Sequence, residues 1–160
     1  MEVEEFTIET RAALQYISLL IAQNCRRTLD ITSHHLDPAI YDQALLVEAV
    51  KQIVLNNRLA RIRLLVTDIA PLVSRGHRLI ELATRLSSFI SIRKPGRDYK
   101  NFNEVMLLAD NKAYIHQRFA DRFEGVASYD DPRRTADLTG RFEEIWEGAE
   151  IDANFRRLQL

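Results

Sequence analysis

Apolar positions along the first two thirds of the chain alternate between a helical and an extended period. Helical spacing predicts helices over about 9–23, 42–55 and 76–86, with Thr7 or Thr10 capping the first and Asp42 the second. Short β-branched runs predict strands at Thr28–Ser33, Arg61–Val66 and 89–93. Strands that alternate with helices indicate a parallel sheet with right-handed crossovers.

The pattern changes after Pro95 and Gly96. Residues 105–109 and 113–116 predict two strands joined at Asp110 and Asn111, which are typical hairpin-turn residues. Residues 125–128 predict a further short strand. A helix then follows the cap Asp131, and its buried stripe comprises Leu138, Phe142, Ile145, Trp146 and Ala149. The elements together predict an α/β fold with a mixed sheet flanked by helices.

Length and composition favour a single domain over residues 1–160, with its core at about 9–149 and a tail at 150–160. The chain is 46% hydrophobic and 28% charged, which excludes a disordered or collagen-like protein. Cys25 is the only cysteine, so no intrachain disulfide can form, and we interpret it as structural. The apolar stretch at 12–22 is too short to span a bilayer, and the N-terminus is acidic. We therefore expect a cytoplasmic protein that does not insert into a membrane.

Charge is distributed unevenly along the chain. Residues 11–101 carry a net charge of +7 and residues 102–155 a net charge of −6, and 18 of the 22 basic residues are arginine. The two halves could neutralise each other across the fold or a subunit interface. Alternatively, the arginine-rich half could face phosphate groups, because guanidinium groups bind phosphates bidentately.

Several segments carry a resemblance to a known family. They are the strand Arg61–Val66, the apolar strand that runs into Asp110, the segment 125–128 and the aromatic pair of Phe142 and Trp146. Over residues 12–149 their order and spacing resemble one half of the phospholipase D superfamily. The resemblance implies the fold of such a half-unit. Because single-half relatives pair, it also implies a homodimer.

The catalytic motif of that superfamily, His-x-Lys-x4-Asp, is degenerate here. With Asp110 as the anchor, Asn103 stands at the position of the nucleophilic histidine and Val105 at that of the lysine. A register shifted by one offers Phe102 and Glu104 instead. An amide cannot replace imidazole as nucleophile or general acid. The resemblance therefore implies the fold without the chemistry, and we expect a non-catalytic interaction module.

The sequence also resembles a small uncharacterised bacterial family of such motif-less domains. Some members of that family appear joined to acetyltransferase-like domains. This resemblance implies an acetyltransferase-like protein as a possible partner.

Candidate ligand-binding residues follow the predicted strands. Ser33, His34 and His35 follow the first strand and Asp68 the second, at the edge where open α/β sheets bind ligands. Arg75, His77 and Arg78 open the third predicted helix, whose N-terminus favours anions. The alternatives are a solvated loop for the first group and ion pairs with the acidic half for the arginines.

Three functions follow from these observations. The first is the interaction module, and the second is a nucleic-acid or phosphate-ligand binder that uses the arginine-rich half. The third is a phosphodiesterase with relocated residues, His34 or His35. We find no metal-site spacing and no Gly-rich phosphate loop, so we expect no metal and no cofactor.

Overall fold

The computed structural model describes residues 4–153, which form a seven-stranded sheet in the order β1-β7-β6-β5-β2-β3-β4. The strands are β1 (Phe6–Ile8), β2 (Thr28–Ser33), β3 (Arg61–Val66), β4 (Ile90–Arg93), β5 (Val105–Ala109), β6 (Ala113–Gln117) and β7 (Gly125–Ser128). β2, β3 and β4 are parallel, whereas β5, β6, β7 and β1 join the sheet antiparallel. The predicted α/β fold with a mixed sheet is therefore confirmed.

Helices cover both faces of the sheet. They are α1 (Arg11–Asn24), α2 (Pro38–Tyr41), α3 (Ala44–Asn56), α4 (Ala70–Arg75), α5 (Arg78–Arg85) and α6 (Pro132–Glu147). Side chains from α1 to α5 pack with one face of the sheet into one apolar cluster. The predicted stripe of α6 packs on the other face, where Phe142 stacks on Trp146 with ring centroids 5.7 Å apart. Within residues 4–153, no helix is long and apolar enough to cross a membrane.

The hairpin between β5 and β6 forms where the sequence predicts it. Asp110 and Asn111 have φ of 52° and 58°, the left-handed conformation that this two-residue turn requires. The N–H of Lys112 closes the turn on the carbonyl of Ala109 at 3.0 Å. Asp and Asn tolerate this conformation better than other side chains, so the turn is encoded locally.

Some local features of the structure differ from the prediction. β1 is a strand that the sequence did not predict, and it adds the fully buried Ile8 to the core; Thr7 lies in this strand, and Thr10, the other predicted alternative, caps α1. The third predicted helix forms as α5, whereas α4 precedes it as an unpredicted helix that ends at Gly76, whose φ is 83°. Asp42 does not cap α3; its Oδ1 accepts the N–H of Arg78 at 3.0 Å instead. The last part of the predicted tail, residues 154–160, lies outside the described residues.

A buried ion pair joins two central strands on the α6 face. Arg63 on β3 binds Asp30 on β2 bidentately, with N–O distances of 2.8 and 2.9 Å. Arg63 also donates to Glu143 of α6 at 2.7 Å, and its guanidinium carbon lies 4.8 Å from the ring centroid of Phe142. Burial alone would lower the pKa of Arg63, but its hydrogen bonds to Asp30 and Glu143 outweigh that effect and raise the pKa. The pair of Arg63 and Asp30 therefore stays charged, and the contact of Arg63 with Glu143 fixes α6 on the sheet.

Replacing Arg63 by methionine should destabilise the protein by about 3–5 kcal/mol, because Asp30 would be left charged and buried without its partner. Urea denaturation followed by circular dichroism measures this loss. Arg61→Met, on the same strand but exposed, is the matched control and should cost less than about 1 kcal/mol. Equal losses in the two variants would contradict a structural role for the pair.

Candidate functional site

The edge of the sheet at which β2 and β3 end, here called the carboxyl edge, brings four of the predicted site residues together. The N–H of Asp68 donates to the carbonyl of His34 at 2.7 Å, so the two loops touch. His34 and His35 are exposed, and their ring centroids lie 6.1 Å apart. Ser33 is buried, and its hydroxyl oxygen accepts the N–H of Leu36. In this arrangement Ser33 shapes the loop, and only the histidines and Asp68 face solvent.

The second predicted group does not form an open anion site. His77 is buried, its Nδ1 accepts the N–H of Leu79, and its Nε2 lies 3.0 Å from the carbonyl of Leu36. Burial lowers the pKa of His77, so the ring stays neutral and serves as the N-cap of α5. The carboxylate of Asp42 lies where an anion would bind, because it accepts the N–H of Arg78 and is 4.0 Å from its guanidinium. Arg75 ends α4 instead of opening α5.

The degenerate motif positions lie beside a charged network that the sequence did not reveal. Asn103 is exposed and Val105 is buried, whereas Glu104, between them in the sequence, is half-buried. Glu104 accepts hydrogen bonds from Arg141 of α6 and from Nε2 of His116 on β6, the latter at 3.2 Å. One feature of the sequence indicates this contact: on the predicted hairpin, His116 lies opposite Met106, two residues from Glu104.

His116 is held in its neutral form. Arg134 lies 3.5 Å from Nδ1, and because a guanidinium only donates, Nδ1 must accept and the proton must be on Nε2. Burial lowers the pKa of His116, and the charges of Arg134 and Arg141 act in the same direction against the opposing effect of Glu104. Burial would raise the pKa of Glu104, but Arg141 and His116 outweigh it and lower the pKa. The pair is thus a carboxylate and a neutral imidazole.

This network opens onto a depression of about 550 Å³ with charges of both signs. Arg118, Arg122 and Arg134 line it together with Glu5 and Glu124. Because acidic and basic side chains alternate around it, the depression does not present a uniformly positive surface.

A different arrangement occurs at the opposite edge of the sheet, where β2 and β3 begin, here called the amino edge. The carboxylate of Asp110 accepts three successive backbone N–H groups, those of Arg26, Arg27 and Thr28, at 2.7, 2.9 and 3.0 Å. Burial would raise the pKa of Asp110, but these N–H groups outweigh it and hold the pKa below its usual range. Asp110 is therefore ionised, and its two oxygens are engaged by the backbone.

Four basic side chains converge at the amino edge. Arg26, Arg27, Arg61 and Lys112 line one surface depression of about 680 Å³, here called the basic depression. All four are exposed, and none forms an ion pair with another residue of 4–153. Asp110 also lines it, yet its oxygens bind backbone N–H groups, so it leaves the guanidinium groups free for an external anion.

The remaining chemistry at these edges is limited. Within the part of the chain that the structure describes, no group of three or more His, Cys, Asp or Glu side chains could hold a metal ion. Cys25, beside the basic depression, is buried, and its sulfur contacts Asp110 at 3.6 Å. Burial, together with Asp110, raises the pKa of this thiol to about 12, so it is not a nucleophile at neutral pH.

The fold is that of the phospholipase D class. The chain is similar to Nuc from Salmonella typhimurium, a phospholipase D family member (9% identity, TM-score 0.64), and to NucT from Helicobacter pylori (11% identity, TM-score 0.66). It covers 97% and 99% of those chains with 93% of its own length in each case. At these identities the likeness concerns the fold alone.

A third similar structure is TrmBL2, an archaeal chromatin protein with a novel mode of DNA binding (18% identity, TM-score 0.66). Here 94% of the chain spans only 55% of the other protein. No curated protein matches the chain. The family model described as "Domain of unknown function (DUF7931)" matches residues 10–158, so the chain belongs to that family.

The titration of His116 tests the charged network. Glu104→Gln should lower the pKa of His116 further, because the carboxylate is the group that favours the imidazolium form. Arg134→Ala should raise it, because a neighbouring positive charge is removed. Two-dimensional ¹H–¹⁵N NMR of the imidazole nitrogens across pH 4–8 measures both shifts. Shifts in the same direction in the two variants would contradict the arrangement.

Asp110→Asn should destabilise the protein by about 1–3 kcal/mol at neutral pH, because an amide has one acceptor oxygen for three N–H donors. The pKa of Asp110 is lower in the folded state than its ordinary value of 3.8. Its contribution is therefore fully present above that value and is lost as the pH falls through the folded pKa. Urea denaturation between pH 7 and pH 2 should show the two proteins converging below about pH 4. Asp121→Asn, in an exposed position, is the control and should follow the wild type throughout.

Proposed function

We propose that this domain binds the phosphate backbone of nucleic acid at the basic depression and does not hydrolyse it. The observation that carries the proposal is the convergence of Arg26, Arg27, Arg61 and Lys112, four exposed cations with no ion-pair partner among residues 4–153. Exposed basic side chains grouped around one depression attract polyanions, and the counterions condensed on the polyanion are released when it binds. The arginine-rich half of the sequence thus acts through Arg26, Arg27 and Arg61.

Rigid presentation of the arginines supports this proposal. Asp110 fixes the backbone of Arg26 and Arg27, and Asn57 fixes the same segment by donating to the carbonyl of Arg26 at 3.1 Å. Arg61 is the first residue of β3, and its backbone N–H donates to the carbonyl of Arg27 at 2.9 Å. Because this backbone is already ordered, less conformational entropy is lost when the arginines bind a phosphate chain.

Two observations support binding without hydrolysis. Asn103 and Val105 offer neither a nucleophile nor a cation at the positions where the resemblance places them. His116, the imidazole beside those positions, is buried and faces Arg134 and Glu104 with its two nitrogens. It therefore has no free nitrogen for a phosphorus atom. The chromatin protein TrmBL2, whose described mode of DNA binding is its own, shares the fold, and only the binding of nucleic acid is carried over from it here.

The other functions from the sequence have less support in the geometry. The exposed His34 and His35 are the groups that a relocated phosphodiesterase would use, and no basic side chain of residues 4–153 is paired with them. The homodimer and the acetyltransferase-like partner stay predictions of the resemblance, as does the role of an interaction module.

Fluorescence anisotropy of labelled oligonucleotides at several salt concentrations tests the proposal. The affinity should fall steeply with salt, and Arg27→Glu/Arg61→Glu should weaken binding and reduce the slope of log K against log[salt] by about 1.5, as expected for the loss of two phosphate contacts. Arg75→Glu/Arg85→Glu changes the net charge equally at two exposed positions elsewhere and should have a much smaller effect.

Equal weakening by both double variants would show that only net charge matters and would contradict the site. A bound oligonucleotide should remain intact on a denaturing gel. Cleavage that disappears in His34→Ala/His35→Ala would support the phosphodiesterase instead.

A further inference from the structure

The two outermost strands of the sheet differ in how their outer edges are covered. β4 is the last strand on one side, and next to it the backbone of Lys94 exchanges two hydrogen bonds with that of Glu150, at 2.7 and 3.0 Å. β1 is the last strand on the other side and pairs with β7 along one edge. No other residue of 4–153 forms a hydrogen bond with the backbone of Phe6–Ile8. β1 therefore has an open edge, to which another extended segment can add.

Three aromatic side chains lie beside this open edge, and we call them the aromatic patch: Phe6, Tyr16 and Tyr129. The rings of Phe6 and Tyr129 are in contact, with their centroids 5.1 Å apart. Tyr16, on α1, is 63% exposed, and Tyr129 is 38% exposed. Burial and then the neighbouring Tyr16 raise the pKa of Tyr129, so the two tyrosines belong to one surface. Exposed aromatic rings that are grouped in this way are typical of protein interfaces.

The charges around the aromatic patch are negative. Glu4 and Glu9 flank β1, and Asp130 is next to the patch in the sequence. All three are exposed, and none forms an ion pair with another residue of 4–153. The first basic residue of the chain, Arg11, lies over the ring of Phe123 at 5.3 Å and not over the patch. A cation on the aromatic patch would therefore be attracted both by the ring faces and by the acids.

These charges indicate which kind of extended segment fits the open edge. In two β1 strands paired antiparallel about Thr7, Glu5 and Glu9 would lie opposite each other. Like charges that face each other across two strands are destabilising, which disfavours a second copy of this chain. A basic segment has the complementary charge. Because side chains alternate along a strand, every second one would lie on the same face as the aromatic patch.

We propose that the open edge of β1 binds an extended, basic segment of a partner protein, which adds to the seven-stranded sheet as a further strand. Main-chain hydrogen bonds to β1 supply affinity, and a lysine or arginine side chain on the aromatic patch supplies specificity. Phe6, Tyr16 and Tyr129 do not line the basic depression, so this surface is separate from the one that binds phosphate. The proposal does not depend on nucleic-acid binding, and it gives the predicted interaction module a partner of defined chemistry.

A labelled peptide of about nine residues, with lysine and threonine in alternation, is a suitable probe for this edge. Anisotropy titrations should show binding that is lost when every lysine of the peptide is replaced by glutamate. Successive backbone N–H groups of a strand point to opposite edges, so methylating the nitrogens of all threonines or of all lysines blocks one edge at a time. One of the two methylated peptides should bind, and the other should not.

Variants of the protein test the aromatic patch. Tyr16→Ala should weaken the binding of the lysine peptide by about twofold to fivefold, as the loss of one exposed cation–π contact would. Tyr16→Phe keeps the ring and should bind the peptide as the wild type does. Glu4→Gln should also weaken binding, whereas Glu144→Gln, an exposed acid on α6, makes the same charge change elsewhere and should not. Circular dichroism melting curves check that every variant is folded.

The outcomes that would overturn the proposal are distinct. The absence of peptide binding, or an equal effect of the two patterns of methylation, would exclude the addition of a strand. Equal affinity for the lysine and glutamate peptides would exclude a basic partner. Dimerisation in sedimentation velocity that Tyr16→Ala abolishes would show that a second copy occupies the edge. Tyr16→Ala should bind oligonucleotides as the wild type does, so this proposal and the proposed function can fail independently.

Discussion

Three successive backbone N–H groups, those of Arg26, Arg27 and Thr28, point at the carboxylate of Asp110. This contact joins the end of α1 and the start of β2 to the turn of the β5–β6 hairpin, about 80 residues further along the chain. It determines where β5 lies beside β2, because the N–H of Asp110 returns to the carbonyl of Thr28 at 2.9 Å. The same contact supports the basic depression, since it holds two arginines beside a carboxylate that is already engaged.

Two structural explanations account for the uneven charge of the sequence, and each applies to a different set of residues. Arg63 belongs to the basic half of the sequence and Glu143 to the acidic half, and their contact neutralises both inside the protein. Lys94 of the basic half also pairs with Asp152 of the acidic half, at 3.9 Å and on the surface. Arg26, Arg27 and Arg61 have no such partner among residues 4–153 and lie exposed at the amino edge. Neutralisation across the fold therefore accounts for part of the positive charge, and the remainder is available to an external anion.

The chain has a phospholipase D-like fold, and a charged network lies beside the positions where the family resemblance places the catalytic motif. Glu104, His116, Arg134 and Arg141 form a network in which Glu104 pairs with Arg141 and the neutral imidazole lies between Glu104 and Arg134. Such a network stabilises the contact between α6 and the sheet. The basic depression lies at the other end of the strands, so the proposed binding site is separate from the motif positions.

The sequence by itself determined much of the local structure. The β-branched runs gave β2 and β3 their exact limits, Asp110 and Asn111 formed the turn, and the stripe of α6 is buried as its spacing predicts. These features depend on neighbouring residues, whose propensities act over a few positions. Only the tertiary structure decided that Arg27, Arg61 and Lys112 meet, because they come from three separate segments that the sheet order brings together. It also placed Asp42 at the start of α5 and Glu104 against His116. No local period encodes these contacts, because side chains distant in sequence become neighbours only when strands pair and helices pack.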